Sequence, residues 1–126
     1  MIIKKLKKGY IDVPIISKEN IIRRGLYFMI FKGSIIKVGI YGEGVKSTNK
    51  SRFAVYRNMG KEIKPKNGSY KTMKVLNEKL NVGDQIEIRF IQLPDDKIID
   101  GYRWKIDLYH EEEKYKETYK DSLWLN

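Results

Sequence analysis

Residues 25–41 read GLYFMIFKGSIIKVGIY, and the reading of this stretch decides the fold. Two apolar runs, LYFMIF and IIKVGIY, flank Lys32-Gly33-Ser34. Gly33-Ser34 between runs rich in β-branched and aromatic residues is a turn signal, so an antiparallel hairpin is expected from about Leu26 to Tyr41. Side chains two apart share a strand face. Tyr27 and Lys37 come from strands that pair, so their polar tips can sit close together. Just downstream, Tyr41-Gly42-Glu43-Gly44 through Asn49-Lys50-Ser51 reads as loop. Ser51 can then cap a helix that starts with Arg52 and runs to about Met59. Arg52 and Tyr56 lie one turn apart on one face of that helix. A phenol, an amine and a guanidinium would converge near the end of a small sheet, which suits a phosphate and a nucleophile.

Working outward, residues 60–69 (GKEIKPKNGS) form a second basic loop, and TMKVLNEKL reads as helix with Met73, Leu76 and Leu80 on one stripe. Gly83-Asp84 is a turn. QIEIRFIQL alternates Ile86, Ile88 and Phe90 against Glu87 and Arg89, the pattern of a half-buried strand. Pro94-Asp95-Asp96 breaks it. Ile98 and Ile99 suit a small strand, and residues 102–119 read as an amphipathic helix with Trp104, Leu108, Tyr115 and Tyr119 inward. Residues 1–16 are short apolar pairs broken by lysines and Pro14, fit for an edge strand or an arm. Ser17 to Asn20 looks like the start of a short helix that Gly25 ends. The expected fold is therefore α+β, an α/β sandwich with a small central three-stranded antiparallel sheet flanked by helices. It is one domain over 1–126, with 1–24 as arm and short helix and 25–126 as core.

The charge is +10, from 26 Lys and Arg against 16 Asp and Glu. A surface of that sign attracts polyanions, and nucleic acid leads the candidates. A lysine-rich, AT-rich genome accounts for part of the excess. Lysines 46, 50, 61, 64, 66, 71 and 74, with Arg57 as a weaker choice, are candidates for contacts to a nucleic-acid backbone. Such contacts give affinity without sequence. There is no cysteine, hence no disulfide and no thiolate metal site. MIIKKLKKGY lacks the apolar core of a signal peptide, and no apolar run approaches the roughly 18 residues of a membrane span. A bacterial or phage cytoplasm suits these features. No zinc spacing, P-loop, Gly-x-Ser-x-Gly or dinucleotide fingerprint occurs.

The ordered set resembles the GIY-YIG nuclease family. Gly25-Leu26-Tyr27 matches the first motif. After nine residues, Lys37-Val38-Gly39 stands where Tyr-Ile-Gly is usual, and some restriction enzymes of the family carry lysine there. Arg52 and Tyr56 match the Arg-x-x-x-Tyr of the following helix. Glu111, Glu112 and Glu113 stand where a metal-binding glutamate is needed, and Trp124-Leu125-Asn126 resembles the terminal asparagine motif. The resemblance covers residues 25–126. It implies a metal-dependent DNA endonuclease using Mg²⁺ or Mn²⁺, acting alone, as a homodimer or with a separate targeting partner.

In that chemistry Tyr27 is the candidate general base or its relay. Its free pKa is about 10, and the Lys37 ammonium is expected to lower it. Arg52 is the phosphate clamp and Tyr56 orients phosphate or water. Glu112 is the first choice for metal, because it shares a helical stripe with Leu108 and Tyr115; Glu111 is the second. His110 and Asn126 are auxiliary candidates. Two other readings stay open: a DNA-binding or protein-interaction module that keeps the fold without turnover, and a basic structural protein of a virus particle. The last predicts no pocket around Tyr27.

Overall fold

The hairpin forms: β3 (Gly25–Phe31) pairs with β4 (Ser34–Tyr41) in antiparallel register from Gly25↔Tyr41 to Phe31↔Ser34. Its two-residue loop is Lys32-Gly33, both at positive φ (50° and 79°), the combination of a type I′ turn. The computed structural model describes residues 1–42, 48–59 and 68–126. The remaining elements are β1 (Ile2–Lys7), β2 (Tyr10–Asp12), a 3₁₀ turn at Lys18–Asn20, α1 (Asn49–Met59), α2 (Gly68–Lys79), β5 (Gln85–Gln92), β6 (Asp96–Ile99), β7 (Tyr102–Lys105) and α3 (Leu108–Thr118). Among the described residues, no helix is long and apolar enough to cross a membrane.

The fold is α+β, but the main sheet has five antiparallel strands, in the order β2-β1-β5-β3-β4, where three were expected. The two extra strands come from residues 2–12, part of the segment expected to be an edge strand or an arm. Lysine at an inward position hid β1. Ile3 and Lys5 both point inward, and Lys5 is only 6% exposed. Its ammonium donates to the Leu80 carbonyl at 2.8 Å and also to that of Asn77. The cation thus satisfies carbonyls at the C-terminal end of α2, where it also meets the negative pole of the helix dipole.

Each face of the sheet has its own core. Tyr27, Met29, Ile86 and Ile88 pack with Phe53 and Tyr56 of α1 and with Met73, Leu76 and Leu80 around α2. Leu26, Phe28 and Val38 on the other face pack against Tyr115, Tyr119 and Leu123. The sheet therefore lies between α1 and α2 on one side and α3 on the other.

Three local expectations are corrected. Thr48, not Ser51, caps α1: the Ser51 N–H donates to Thr48 Oγ1 (3.2 Å), while Ser51 Oγ accepts from the Thr48 N–H (2.7 Å). This is the reciprocal pattern of a capping box. Residues 102–105 are strand, not helix, and Trp104 is 56% exposed. Asp100-Gly101 closes a two-residue hairpin between β6 and β7, both residues at positive φ. Asp107 then caps α3 by accepting from the Tyr109 N–H, so the helix starts at Leu108.

Leu125 is buried and pins residues 122–126 down, while Trp124 is 43% exposed. The Leu125 N–H donates to the Ile36 carbonyl at 3.1 Å, and Ser122 Oγ donates to that of Ile35 at 2.6 Å. These bonds cover the open edge of β4.

Candidate active site

Tyr27 sits in the middle of β3 and faces α1. It is fully buried, and its ring lies over Gly39, its partner in β4. A Cβ at Gly39 would come within 2.1 Å of Tyr27 Cζ, so only glycine leaves room for the ring. The ring packs edge-on against Phe53 at 5.1 Å between centroids. Its hydroxyl lies 2.6 Å from that of Tyr56, which is also fully buried. One helical turn before Tyr56, the Arg52 guanidinium stands 5.1 Å from the Tyr56 ring centroid and acts on the Tyr27 hydroxyl. A cation over an aromatic face is attracted by the ring quadrupole.

Lys37 lies opposite Met29, so it shares a face with Tyr27 on the diagonal. Its half-buried ammonium feels Arg52 from α1 and Glu112 and Lys116 from α3. The Glu112 carboxylate pairs with Lys116 at 3.2 Å through Oε1 and also acts on Arg52. Tyr27 of β3 and Tyr56 and Arg52 of α1 thus meet, while Lys37 of β4 and Glu112 of α3 act on Arg52 through their charges.

Burial comes first in raising the Tyr27 pKa well above its ordinary value, and Tyr56 adds to the rise; Arg52 pulls the other way. Lys37 is not among the causes, contrary to expectation. Tyr27 stays a neutral hydroxyl at neutral pH. The titration moves to Lys37 instead, lowered to about 8 by burial and then by Arg52 and Lys116, with Glu112 opposing. For Arg52 burial works downward, but Tyr27, Tyr56 and Glu112 outweigh it and raise the pKa.

The depressed Lys37 pKa has a consequence for stability. Below about 8 the amine is charged in both folded and unfolded chains, and the folded state bears the full penalty of holding that charge. Between there and the ordinary lysine value the unfolded chain binds more protons, so stability rises with pH. Lys37→Met is therefore expected to be more stable than the parent at pH 7. Urea midpoints should show that advantage shrinking as pH rises past 8; an advantage that grows with pH would contradict the assignment.

The other candidates separate clearly. Glu111 pairs with Lys114 (3.3 Å) and Glu113, 71% exposed, leans on Lys116 (3.6 Å); neither acts on Lys37 or Arg52, so Glu112 is the carboxylate of the cluster. His110 is exposed on α3. Asn126 lies at the β4 edge, where its carboxamide donates to the Val38 carbonyl (3.0 Å) and accepts from the Val38 N–H (2.9 Å). Asn126→Ala should cost about 1–2 kcal/mol for those two bonds, read as a shift in the urea midpoint. Arg57 turns away from the site and donates to the carbonyls of Val13 (2.9 Å) and Pro14 (3.2 Å), tying α1 to the segment after β2. These bonds give Arg57 a structural role. Lys50, Lys71 and Lys74 are exposed; Lys46, Lys61, Lys64 and Lys66 lie outside the described residues.

No group of three or more His, Cys, Asp or Glu gathers among the described residues. A site with one carboxylate still suits Mg²⁺, which keeps several waters and takes one or two carboxylates plus substrate phosphates. Glu112 fits that pattern. Lys116, four residues after Glu112 on the same helical stripe, joins the cluster through its ion pair with that carboxylate. Compared with protein-family models, with curated proteins and with solved structures, the chain shows no match.

Proposed function

We propose that this chain is a metal-dependent DNA endonuclease of the GIY-YIG type. The convergence of Tyr27, Lys37, Arg52, Tyr56 and Glu112 from four separate elements carries the reading. The charge of +10 supports a polyanionic substrate.

In this reading a water attacks phosphorus as the bond to the leaving sugar oxygen breaks. The Lys37 amine, neutral above about pH 8, takes the water proton. Tyr27 keeps its own proton and acts as a hydrogen-bond donor, held in orientation by Tyr56 and by its packing over Gly39. Arg52 holds the non-bridging oxygens and offsets the charge they gain in the transition state. A magnesium or manganese ion on Glu112, its shell completed by water and substrate, would polarise the phosphoryl oxygen and stabilise the leaving oxygen.

Cleavage of supercoiled DNA should require Mg²⁺ or Mn²⁺ and stop in EDTA. Its rate should rise with pH and level off above about 8 as Lys37 loses its proton. A rate that falls through that region would instead make Lys37 a cationic phosphate ligand. The full burial of both tyrosine hydroxyls, together with lysine in the second motif, favours one competing reading: a DNA-binding or protein-interaction module without turnover. That module binds DNA and leaves it intact at every pH and with every metal.

A further inference from the structure

The β6–β7 ribbon stands outside both cores, and none of its eight strand residues is buried. A lone two-stranded hairpin is marginally stable in water, yet this one presents Ile98 at 71%, Tyr102 at 71% and Trp104 at 56% exposure. Cross-strand register puts Lys97, Ile99, Tyr102 and Trp104 on one face. The same strands carry Arg103 and Lys105, and Arg103 pairs with Asp96 at 3.4 Å in an exposed position.

Its base is fastened to the candidate site. Arg24, only 7% exposed, donates to the carbonyls of Pro94 (3.0 Å) and Ile106, and Arg23 pairs with Asp95. Both arginines immediately precede β3, which carries Tyr27. At its other end β7 leads through the Asp107 cap into α3, which carries Glu112. The ribbon is therefore tied at its base to the segment before β3 and runs on into α3.

We infer that the β6–β7 ribbon is a DNA-reading element that enters the major groove of the duplex beside the scissile phosphate; the inference rests on the nuclease reading above. A major groove about 12 Å wide admits a two-stranded ribbon. The mixture on this ribbon suits a groove better than a hydrophobic interface. Lys97 beside the aromatic pair, and Arg103 and Lys105 on the opposite face, reach for phosphates. Tyr102 and Trp104 meet base edges and thymine methyl groups, and Asp100 at the tip accepts from cytosine amino groups.

The test uses the full chain in EDTA with fluorescein-labelled duplex and single-stranded DNA. Tyr102→Ala/Trp104→Ala should weaken duplex binding about tenfold or more with no change in urea midpoint. Lys97→Ala/Lys105→Ala should reduce the slope of log affinity against log salt by about two. In a Trp124→Phe background, which leaves Trp104 as the only tryptophan, duplex should change the emission and single strands should not. Parent-like affinity and slope in these variants, with metal-dependent cutting retained, would overturn the ribbon's role and leave the nuclease standing. Loss of a dimer in sedimentation with DNA affinity unchanged would overturn it in favour of self-association. Absence of any DNA binding by the parent chain would overturn the nuclease reading, and the ribbon's role with it.

Discussion

Arg52→Ala is expected to lower the single-turnover rate of DNA cleavage by about 10²–10³-fold, the usual cost of removing one preorganised donor from a developing oxyanion. Arg52 keeps its charge at every working pH, whereas Lys37 titrates near 8. The fold should survive. Arg52 is only half-buried, and the 2.6 Å bond between the Tyr27 and Tyr56 hydroxyls does not depend on it. A stability loss of about 1 kcal/mol is expected from the lost ring contact. Arg52→Lys should recover little activity, because an ammonium lacks the planar fork that grips two oxygens. Binding to DNA should fall much less than turnover. Equal losses in binding and turnover would reduce Arg52 to one more surface cation.

The largest effect on stability is expected from Gly39→Ala. One methyl group would stand 2.1 Å from Tyr27 Cζ and 2.3 Å from its hydroxyl. The ring cannot swing clear, because Phe53 and Tyr56 pack against it and its hydroxyl is bonded. Overpacking of this kind costs about 1–3 kcal/mol, and the upper end or beyond is expected here. Tyr27→Ala/Gly39→Ala should be less destabilised than the two single changes added together, since the smaller side chain removes the clash. Strict additivity in urea titrations would show that glycine at 39 is there for another reason. The same substitution displaces the Tyr27 hydroxyl, so cleavage should be lost before the fold is.

Much of this was legible in the sequence because the signals were local. The hairpin at 25–41, the stripe of Met73, Leu76 and Leu80, and the alternation in 85–92 each express one period over consecutive residues. The spacing of Arg52 and Tyr56 likewise anticipated that both would reach Tyr27, whereas Lys37 acts on Arg52 and not on Tyr27. What escaped was set by distant partners. Lys5 reads as a strand breaker until the carbonyls ending α2 are seen to receive it. Trp104 falls in helical register with Leu108, but Asp100-Gly101 and the Asp107 cap divide that segment into ribbon and helix. The direction of the Tyr27 pKa was misjudged for the same reason. A neighbouring lysine is visible in sequence, whereas complete burial against α1 is a property of the packed fold.

The central claim is that the cluster around Glu112 cuts DNA. The most direct measurement compares the parent chain with Glu112→Gln on one supercoiled plasmid, with Mg²⁺, with Mn²⁺ and with EDTA, scoring cleavage and binding in parallel. The account predicts metal-dependent cutting by the parent, and cutting lost with DNA binding kept in the variant. Cutting unchanged in the variant, or a parent chain that binds DNA and never cuts it, would contradict it.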